Sequence, residues 1–576
     1  MMQQKVLAFD YDGTLAENGQ VPAALCHVLE QLKLAGCVLF LVTGRRYASL
    51  DLGSLADLFT GIAWENGAVL EHMASQELYL PFGHVDARLI RALEKTDMPL
   101  ERGVAIASTW IDHEAVVWQL LAETGSDVVI VHNKGALMIL PPGASKGTGL
   151  VRLLELCGFS PRNVACFGDG ENDLALFQVC EVGIAVADAV PSLLSVADMV
   201  AEKPGPAGVQ HTLETYWQNG RLLTTPTRPE RAILLGTDEN GKAVSLPGAM
   251  LTNSNIGIFG DSHSGKSWVT GLLAEGMHVA GYQVLLLDPE GDFRGLSSLP
   301  GIIALSGDKN TLPTPATVVL LLAEASNSVV LDLCQYPHEQ RGDYLVELFH
   351  ALQPLKKHRF RPQWIVLEEA QYFLPPNGND VSAALLPMLA DGGLAFVSYR
   401  PDRLDKQILA MLTCCLVSRL TEREALEAIS SIAHLPDVEA LAQTPNSHIW
   451  LCGQQQVRLR PSARRIPHIR HLYKYLDMPL PKHKRFYFRT DKTYLGIEAA
   501  SLFEFKELLL QLPMECLIYH HRRDDFANWV RSALDDDILA RHLETLTHRQ
   551  ELTGEALRQA LWQCVMARYV ELSTLR

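Results

Sequence analysis

Twice in this chain an apolar strand runs straight into a loop suited to handling phosphate. That pairing restricts the fold to parallel sheets with sites at the carboxyl ends of their strands. Val6 to Phe9 runs into Asp10-Tyr11-Asp12-Gly13-Thr14, and Asn255 to Phe259 runs into Gly260-Asp261-Ser262-His263-Ser264-Gly265-Lys266-Ser267. The first loop sets out paired carboxylates. The second can wrap a nucleoside triphosphate in backbone N–H groups and one lysine.

Length allows three or four domains in 576 residues, at roughly 100 to 200 residues each. The 48% hydrophobic and 20% charged content is that of a globular protein, with no run long enough to cross a bilayer. The chain enters its first strand close to Met1 without a basic-then-apolar opening, so a cytoplasmic location is expected. Eleven cysteines lie without repeated spacing, and Cys414-Cys415 is not a metal clip. Reduced, buried thiols follow. A net charge of −16 argues against coating nucleic acid with the whole surface.

Up to about residue 205 the chain alternates strand-like and helix-like stretches: Val6 to Phe9, Pro22 to Leu34, Val38 to Val42, Asn163 to Phe167 and Gly183 to Val186. Alternation of this kind predicts a parallel sheet covered by helices. Residues 83–143 read as an inserted cap, with Asn133-Lys134-Gly135 turning between Val128 to His132 and Ala136 to Leu140. Lys203-Pro204-Gly205-Pro206 and Thr224 to Pro229 predict a linker over 206–230. The next domain, 231–460, opens on a hairpin turned at Asn240-Gly241 and resumes alternation through Leu285 to Leu287, Val329 to Leu333, Trp364 to Leu367 and Leu394 to Val397. A basic arm over 461–489 and a C-terminal domain over 490–576 complete the expected order.

In the first loop, strand alternation is expected to set Asp10 and Asp12 on one face, where one can attack phosphorus and the other protonate the leaving oxygen. Gly13 lets the chain turn away. The anionic group in transfer also needs a cation, a lysine and phosphate-binding donors. Thr43-Gly44-Arg45 follows the strand Val38 to Val42, Lys146 opens a helix, and Gly168-Asp169-Gly170-Glu171-Asn172-Asp173 offers carboxylates suited to Mg2+. These motifs, in this order, resemble the haloacid dehalogenase superfamily phosphatases, and Glu65-Asn66-Gly67-Ala68 with the cap resembles the subfamily of sugar-phosphate and phosphoglycolate phosphatases. The resemblance implies Asp10 as nucleophile and Asp12 as general acid/base, with Thr43 and Lys146 on the phosphoryl group. It further implies Mg2+ at Asp10, the Asp12 carbonyl, Asp169 and Asp173, and phosphate or substrate contacts from Gly44, Arg45, Asn66 and Asn172.

In the second loop Lys266 is expected on the β and γ phosphates of ATP and Ser267 on the metal. Glu368-Glu369-Ala370-Gln371 ends the strand Trp364 to Leu367 and supplies two acids. Leu285 to Phe293, carrying Asp288-Pro289-Glu290-Gly291-Asp292, together with Glu368 to Gln371 and Ser398-Tyr399-Arg400-Pro401, resembles the HerA and FtsK group of hexameric DNA-translocating ATPases. That resemblance implies an ATP site at Gly260 to Ser267, Asp288, Glu368 and Arg400, with Glu368 assisting Mg2+ and Glu369 polarising water. Arg419 is the candidate finger reaching a neighbouring subunit, and Tyr399 stands where the family usually has glutamine.

Val457 to Arg489 carries ten Lys or Arg residues against Asp477 alone. Such a belt either contacts a phosphate backbone or wraps the acidic ATPase domain. Tyr519-His520-His521 reads as a surface turn rather than a metal cluster. The expected whole is an α/β protein: a Rossmann-like phosphatase domain with an α+β cap, a RecA-like ATPase domain, and a small α+β or helical C-terminal domain. It would work with Mg2+ and ATP as a homo-oligomer, by resemblance a hexamer, on double-stranded DNA or nucleotides in antiviral defence. The alternative is a small-molecule phosphatase on a nucleotide-gated scaffold.

Overall fold

The computed structural model describes residues 5–573 apart from 134, 219–227, 307–311, 431–434, 454–455, 467–475, 477–479, 481, 535 and 548–551. Among the described residues an eight-stranded sheet runs in the order Met199–Val200, Val182–Ala185, Val164–Gly168, Val6–Phe9, Val38–Val42, Gly61–Trp64, Val69–His72, Glu77–Tyr79. Its first six strands pair in parallel and the last two antiparallel. The central strands are buried on both faces, so they read as unbroken apolar runs such as Val6-Leu7-Ala8-Phe9. Within 83–143 a separate four-stranded sheet and the helices Ala87–Leu93 and Glu114–Thr124 enclose their own core of Leu89, Leu93, Val117 and Ile139.

An eleven-stranded sheet follows. Its order is Ala243–Pro247, Ala232–Asp238, Val457–Pro461, Ile449–Cys452, Cys414–Val417, Ile256–Phe259, Leu394–Ser398, Gln363–Leu367, Gln283–Asp288, Ser328–Asp332, Ile302–Ser306. The strand that feeds the phosphate loop, Ile256–Phe259, lies between Cys414–Val417 and Leu394–Ser398, parallel to both. At the carboxyl end of the chain the antiparallel pair Phe486–Arg489 and Tyr494–Ala499 packs with helices on a core centred on Phe486, Phe505 and Trp529.

Three sequence expectations are corrected. The linker expected over 206–230 is helical at its start: Gly205–Leu213 is an α-helix continued to Gln218, and Val209, Leu213 and Trp217 join the phosphatase core. Pro206 sits in the first turn, where its missing N–H and fixed φ are harmless, so the same residues that break structure start a helix here. Only 219–227 of that stretch lies outside the described residues. His520 and His521 do not form a surface turn either; both are buried at the end of the helix Met514–His521. Nδ1 of His520 pairs with Asp525 at 2.8 Å, and its Nε2 accepts the Arg489 N–H at 2.9 Å, which accounts for both ring nitrogens. Finally, the strand before the first loop ends at Phe9, and Asp12 lies in the turn that follows, not on the strand.

The basic stretch falls partly outside the described residues, including Arg470 and Lys474. Of its described members some meet acids of the chain, while Arg460, Lys482, Lys484 and Arg489 stay exposed. Arg464 is buried on Glu275 at 2.8 Å, the Arg465 N–H donates to the same carboxylate at 2.7 Å, and Arg485 reaches Glu498 at 2.5 Å. Arg464 and Arg465 thus meet an acid of the ATPase domain, whereas the Arg485 pair lies with the C-terminal domain.

The two large sheets meet through loops that precede their strands. Tyr282, just before Gln283–Asp288, donates its hydroxyl to Glu181 at 2.9 Å, just before Val182–Ala185. Arg162 Nε donates to the Ala280 carbonyl at 2.9 Å, and Asn163 to the Phe360 carbonyl at 2.5 Å. Arg359 stacks over the Phe159 ring at 5.4 Å. Contact at the amino ends of the strands places the loops at their carboxyl ends on opposite sides of the molecule.

Candidate functional site

At the end of Val6–Phe9 the Asp10 carboxylate is buried, because the strand beneath it is and because the chain turns over it. Lys146, the first residue of the helix Lys146–Cys157, donates to Asp10 Oδ1 and to Asp173 Oδ1, each at 2.6 Å. Oxygens of Asp10, Asp169 and Asp173 lie within 4.8 Å of one another. Asp173 Oδ2 accepts the backbone N–H groups of Asp169 and Gly170, each at 3.0 Å, which pins the acidic loop. Burial, then Asp173, push the Asp10 carboxyl well above the usual carboxylate range. Burial works against the Lys146 ammonium, but Asp10 and Asp173 together carry it upward. Three buried carboxylates against one ammonium leave a negative, oxygen-lined cup, the chemistry that suits a hard cation such as Mg2+.

Thr43 is fully buried, and its Oγ1 accepts the Arg45 N–H at 3.1 Å. Gly44 lies under the Asn66 amide, where an added Cβ would stand 3.4 Å from Asn66 Oδ1; that oxygen accepts from Asn172 at 2.9 Å. Thr43, Gly44, Asn66 and Asn172 are thereby gathered beside the acidic cup. Arg45, expected to contact phosphate or substrate, meets an acid of the same site. It grips Asp12 with two hydrogen bonds of 2.7 Å, and both side chains are part exposed.

Two residues in this site carried no role in the sequence. Glu65 accepts the N–H groups of Val104 at 2.8 Å, Ala105 at 2.9 Å and Ile106 at 3.3 Å, clasping the cap to the sheet. Asn133, from the cap hairpin, reaches the acidic loop: its Oδ1 lies 3.0 Å from where a Cβ on Gly170 would be, is buried, and has no hydrogen-bond partner among the described residues. The turn signal at Asn133-Lys134-Gly135 could locate the hairpin but not what it touches.

On the second sheet the phosphate loop depends on backbone that only glycine tolerates. Gly260 has φ +154, and a Cβ there would stand 1.8 Å from Ser418 Oγ; Gly265 has φ +99 at the start of the helix Lys266–Val279. Asp261 moors the loop, accepting from Thr421 Oγ1 at 2.9 Å, while its own N–H reaches the Arg419 carbonyl at 2.8 Å. Ser262 and His263 are exposed at the tip, and the Ser264 hydroxyl meets Ser418 at 2.6 Å. Lys266 Nζ donates to the Asp261 carbonyl at 2.9 Å, and Ser267 is the next helical residue.

Glu368 is buried, with Oε1 unpartnered among the described residues; burial, and then Glu369, push its carboxyl up to about 8. Glu369 follows with φ +49, a left-handed backbone uncommon for a residue with a side chain and frequent at functional sites. Its carboxylate accepts from Gln371, whose Oε1 accepts the Ser398 hydroxyl at 2.6 Å, and Ser398 Oγ accepts the Arg400 N–H at 3.0 Å. Gln371 lay inside the quoted motif but had no role there; the relay makes it the link between the acid and the neighbouring strand.

Three further residues of the expected ATP site hold bonds within the chain. Asp288 spends its carboxylate on the N–H groups of Glu290, Gly291 and Phe293 at 2.8 to 3.1 Å, and so shapes its loop. The Arg400 guanidinium is held by Asp402 at 2.7 and 2.8 Å. Arg419 lies 3.7 Å from Asp261 of its own loop, part exposed. On the outer side of the phosphate loop a cavity of about 580 Å³ is lined by His263, Gly265, Trp268, Asn446 and Arg460 among others.

Both sheets thus present phosphate chemistry at the ends of their strands, of the phosphoric monoester hydrolase kind on the first and of the ATPase kind on the second. A family model described as haloacid dehalogenase-like hydrolase matches residues 106–213, and one described as the central domain of helicase HerA matches 235–360. The chain is 33% identical over 220 residues to phosphoglycolate phosphatase 2 of Saccharolobus solfataricus, covering 36% of this chain and 91% of that protein. It is 30% identical over 226 residues to the phosphoglycolate phosphatase of Archaeoglobus fulgidus, covering 37% and 97%. A solved sucrose-phosphatase from Synechocystis aligns over 37% of this chain and 98% of its own at 23% identity, with a TM-score of 0.30. The chain belongs to the haloacid dehalogenase-like hydrolases, and a HerA-type central domain is fused behind its phosphatase domain.

Proposed function

We infer that the chain is a Mg2+-dependent phosphatase for small phosphomonoesters, joined to an ATPase that works back to back with it. The observation that carries this reading is Lys146 bridging Asp10 and Asp173 beneath a closed cap. Asp10 attacks phosphorus and forms an aspartyl phosphate. Asp12 gives its proton to the departing alkoxide oxygen and then takes one from the water that cleaves the intermediate. The Arg45 grip on Asp12 aims that carboxyl and must loosen as the proton comes and goes. Thr43 and Lys146 hold the phosphoryl oxygens, with Gly44, Asn66 and Asn172 around them. Asp10, Asp169, Asp173 and the Asp12 carbonyl would hold Mg2+, which when bound offsets charge on the phosphoryl oxygens. The relatives named for phosphoglycolate make a short, carboxylate-bearing monoester the first substrate to try.

In the ATPase half, Lys266 and Ser267 take the phosphates and metal, Glu368 assists the metal, and Glu369, aimed by Gln371, orients the attacking water. The sheet order supports one direction for ATP. The acids lie toward Gln363–Leu367 on one side of the phosphate loop, and the cavity under Trp268 and Arg460 opens toward Val457–Pro461 on the other. In this reading the γ phosphate would point toward Glu369 and the nucleoside would rest against Trp268, whose indole N–H donates to the Ser462 carbonyl at 3.0 Å.

A second reading, favoured by the HerA likeness and by Arg419 standing part exposed beside the phosphate loop, is a cytoplasmic hexameric ring. Such a ring would act on DNA or nucleotides in antiviral defence, with Arg419 serving a neighbour. The test is a phosphatase screen with Glu369→Gln protein over phosphoglycolate, sugar phosphates, nucleotides and phosphorylated DNA ends. Sedimentation and ATPase rate of the parent protein, with and without duplex DNA, accompany it. Turnover of small monoesters by protein whose ATPase ignores DNA supports the first reading. Activity on DNA ends only, by a DNA-stimulated ring, replaces it with the second.

A further inference from the structure

Between the two sheets, the loops that precede strands on both sides enclose a cavity lined by four cations, Lys5, Arg162, Lys356 and Arg361, against two acids, Glu181 and Asp391. Glu181 takes the Tyr282 hydroxyl on Oε1 at 2.9 Å, while its Oε2, 3.9 Å from the Arg231 guanidinium, has no hydrogen-bond partner among the described residues and shares the field of Arg162. Asp391 acts on Lys356 and Glu324 on Arg361, and neither acid forms an ion pair with its cation among the described residues. Arg361 is 4% exposed; its Nη2 reaches the Ala323 carbonyl, but Nε and Nη1 have no hydrogen-bond partner among the described residues. Lys356 is 7% exposed and its ammonium finds the Gly392 carbonyl. Burial pushes that ammonium down to about 8, with Asp391 offsetting only part. Arg162 adds two bonds to carbonyls, of Ala280 and Val179.

A buried guanidinium with idle N–H groups is unfavourable, and a carbonyl answers a donor without answering its charge. An oxyanion answers both at once, most effectively when it meets an arginine fork. We propose that this seam is a binding site for one small tetrahedral oxyanion of the orthophosphate class, held by Arg361 and Lys356 with the half-buried Lys5 and Arg162 at its edge. Orthophosphate is released by both hydrolytic reactions of the chain. The seam borders the amino ends of Val164–Gly168 and Gln363–Leu367, whose carboxyl ends lead into Asp169 and Glu368. An anion there braces both strands from the end opposite their acids.

The test uses the full-length protein in EDTA, with radiolabelled orthophosphate in equilibrium dialysis at constant ionic strength in chloride, for the parent, Lys5→Gln and Arg361→Gln. The parent is expected to bind an equivalent of phosphate that Arg361→Gln lacks and that Lys5→Gln holds about tenfold more weakly, the scale of one charged hydrogen bond. In a parallel assay with Mg2+ in place of EDTA, hydrolysis of an aryl phosphate and of ATP stays near parental in both variants, since neither residue touches either site. Equal phosphate binding by all three proteins overturns the proposal. So does displacement of the additional equivalent by ADP, which would place it on the phosphate loop. Should Arg361→Gln fail to fold, Lys356→Gln takes its place, and parental binding in Lys356→Gln and Lys5→Gln overturns the proposal equally.

Discussion

In the phosphatase site the lysine is bonded to two of the three buried acids under a clasped cap, whereas in the ATPase site the loop lysine donates to a carbonyl of its own loop and the nearby buried acid keeps an oxygen without a hydrogen-bond partner among the described residues. In the first, Lys146 and Asp173 are 2% and 0% exposed and bonded to each other, and the cap is already clasped by Glu65. In the second, Lys266 donates to its own loop, Glu368 keeps an orphaned oxygen, and Arg400 is tied to Asp402. The phosphatase half draws every named site residue from one chain and one conformation. The ATPase half has the form of a site finished by its ligand, and, under the second reading, by a neighbour. Because the sheets dock at the amino ends of their strands, the two sites face away from each other, so a product of one reaches the other only through solvent.

The largest expected effect tests whether the two halves are chemically separate. Asp10→Asn keeps the size of the side chain but removes the nucleophile, and should lower aryl-phosphate turnover by at least about 10³-fold while ATP hydrolysis in the same sample is unchanged. A parallel fall in both rates would break the comparison. The reciprocal change is next in size. Glu369→Gln should retain nucleotide yet lose roughly 10²- to 10³-fold in ATP turnover, and Lys266→Ala should weaken nucleotide binding itself. Both should leave the phosphatase rate intact. Nucleotide affinity and turnover at parental levels in both variants would remove the phosphate loop as the ATPase centre.

The motifs that carry these predictions were legible because each is contiguous: a strand, a loop and a helix start written in sequence, as in Ile256–Phe259 to Lys266. What escaped was set by distance along the chain. Glu65 and Ala105 are forty residues apart, and the Glu65 carboxylate clasping the cap leaves no local pattern. Asp288 sat in a quoted motif yet turns its carboxylate on its own loop, a choice made by backbone N–H groups that the sequence does not display. The helix Gly205–Leu213 was hidden by residues with two meanings, since Pro206 ends periodicity in one setting and opens a helix in another. His520 and His521 were misread because the aromatic core that buries them gathers Phe486, Phe505 and Phe526 from separate elements.

A smaller effect sharpens the contrast between the two sites. Glu65→Gln replaces one of two acceptor oxygens by a donor facing the N–H groups of 104–106. Losing a charged hydrogen bond of this kind should lower phosphatase kcat/KM by about tenfold, mostly through KM, and speed hydrogen exchange at 103–106. Unaltered exchange there would mean that the cap is held shut by other contacts. No change is expected in ATP turnover.

The smallest expected effect concerns stability and the ATPase site alone. The Glu368 carboxyl keeps its proton up to about pH 8 in the nucleotide-free fold, against an ordinary value of 4.5. Between those values the folded state binds more protons than the unfolded one. Stability from this group is therefore complete below the lower value, declines as pH rises, and is gone once pH passes the upper one. Glu368→Gln cannot ionise, so it should match the parent near pH 5 and melt several degrees higher near pH 9, on the scale of about 2–4 °C per kcal/mol for a domain of this size. The transition is best followed by hydrogen exchange over Gln363–Leu367, which reports the strand that bears the acid. The phosphatase cup offers the control: there Lys146 bonds to Asp10 and Asp173, so exchange over Val6–Phe9 should be indifferent to the Glu368 change at every pH. A Glu368→Gln advantage of equal size at both pH values would show that the carboxyl is already ionised in the fold. Glu368 would then be answered by charge as Asp173 is by Lys146, and the contrast between the two sites would fail.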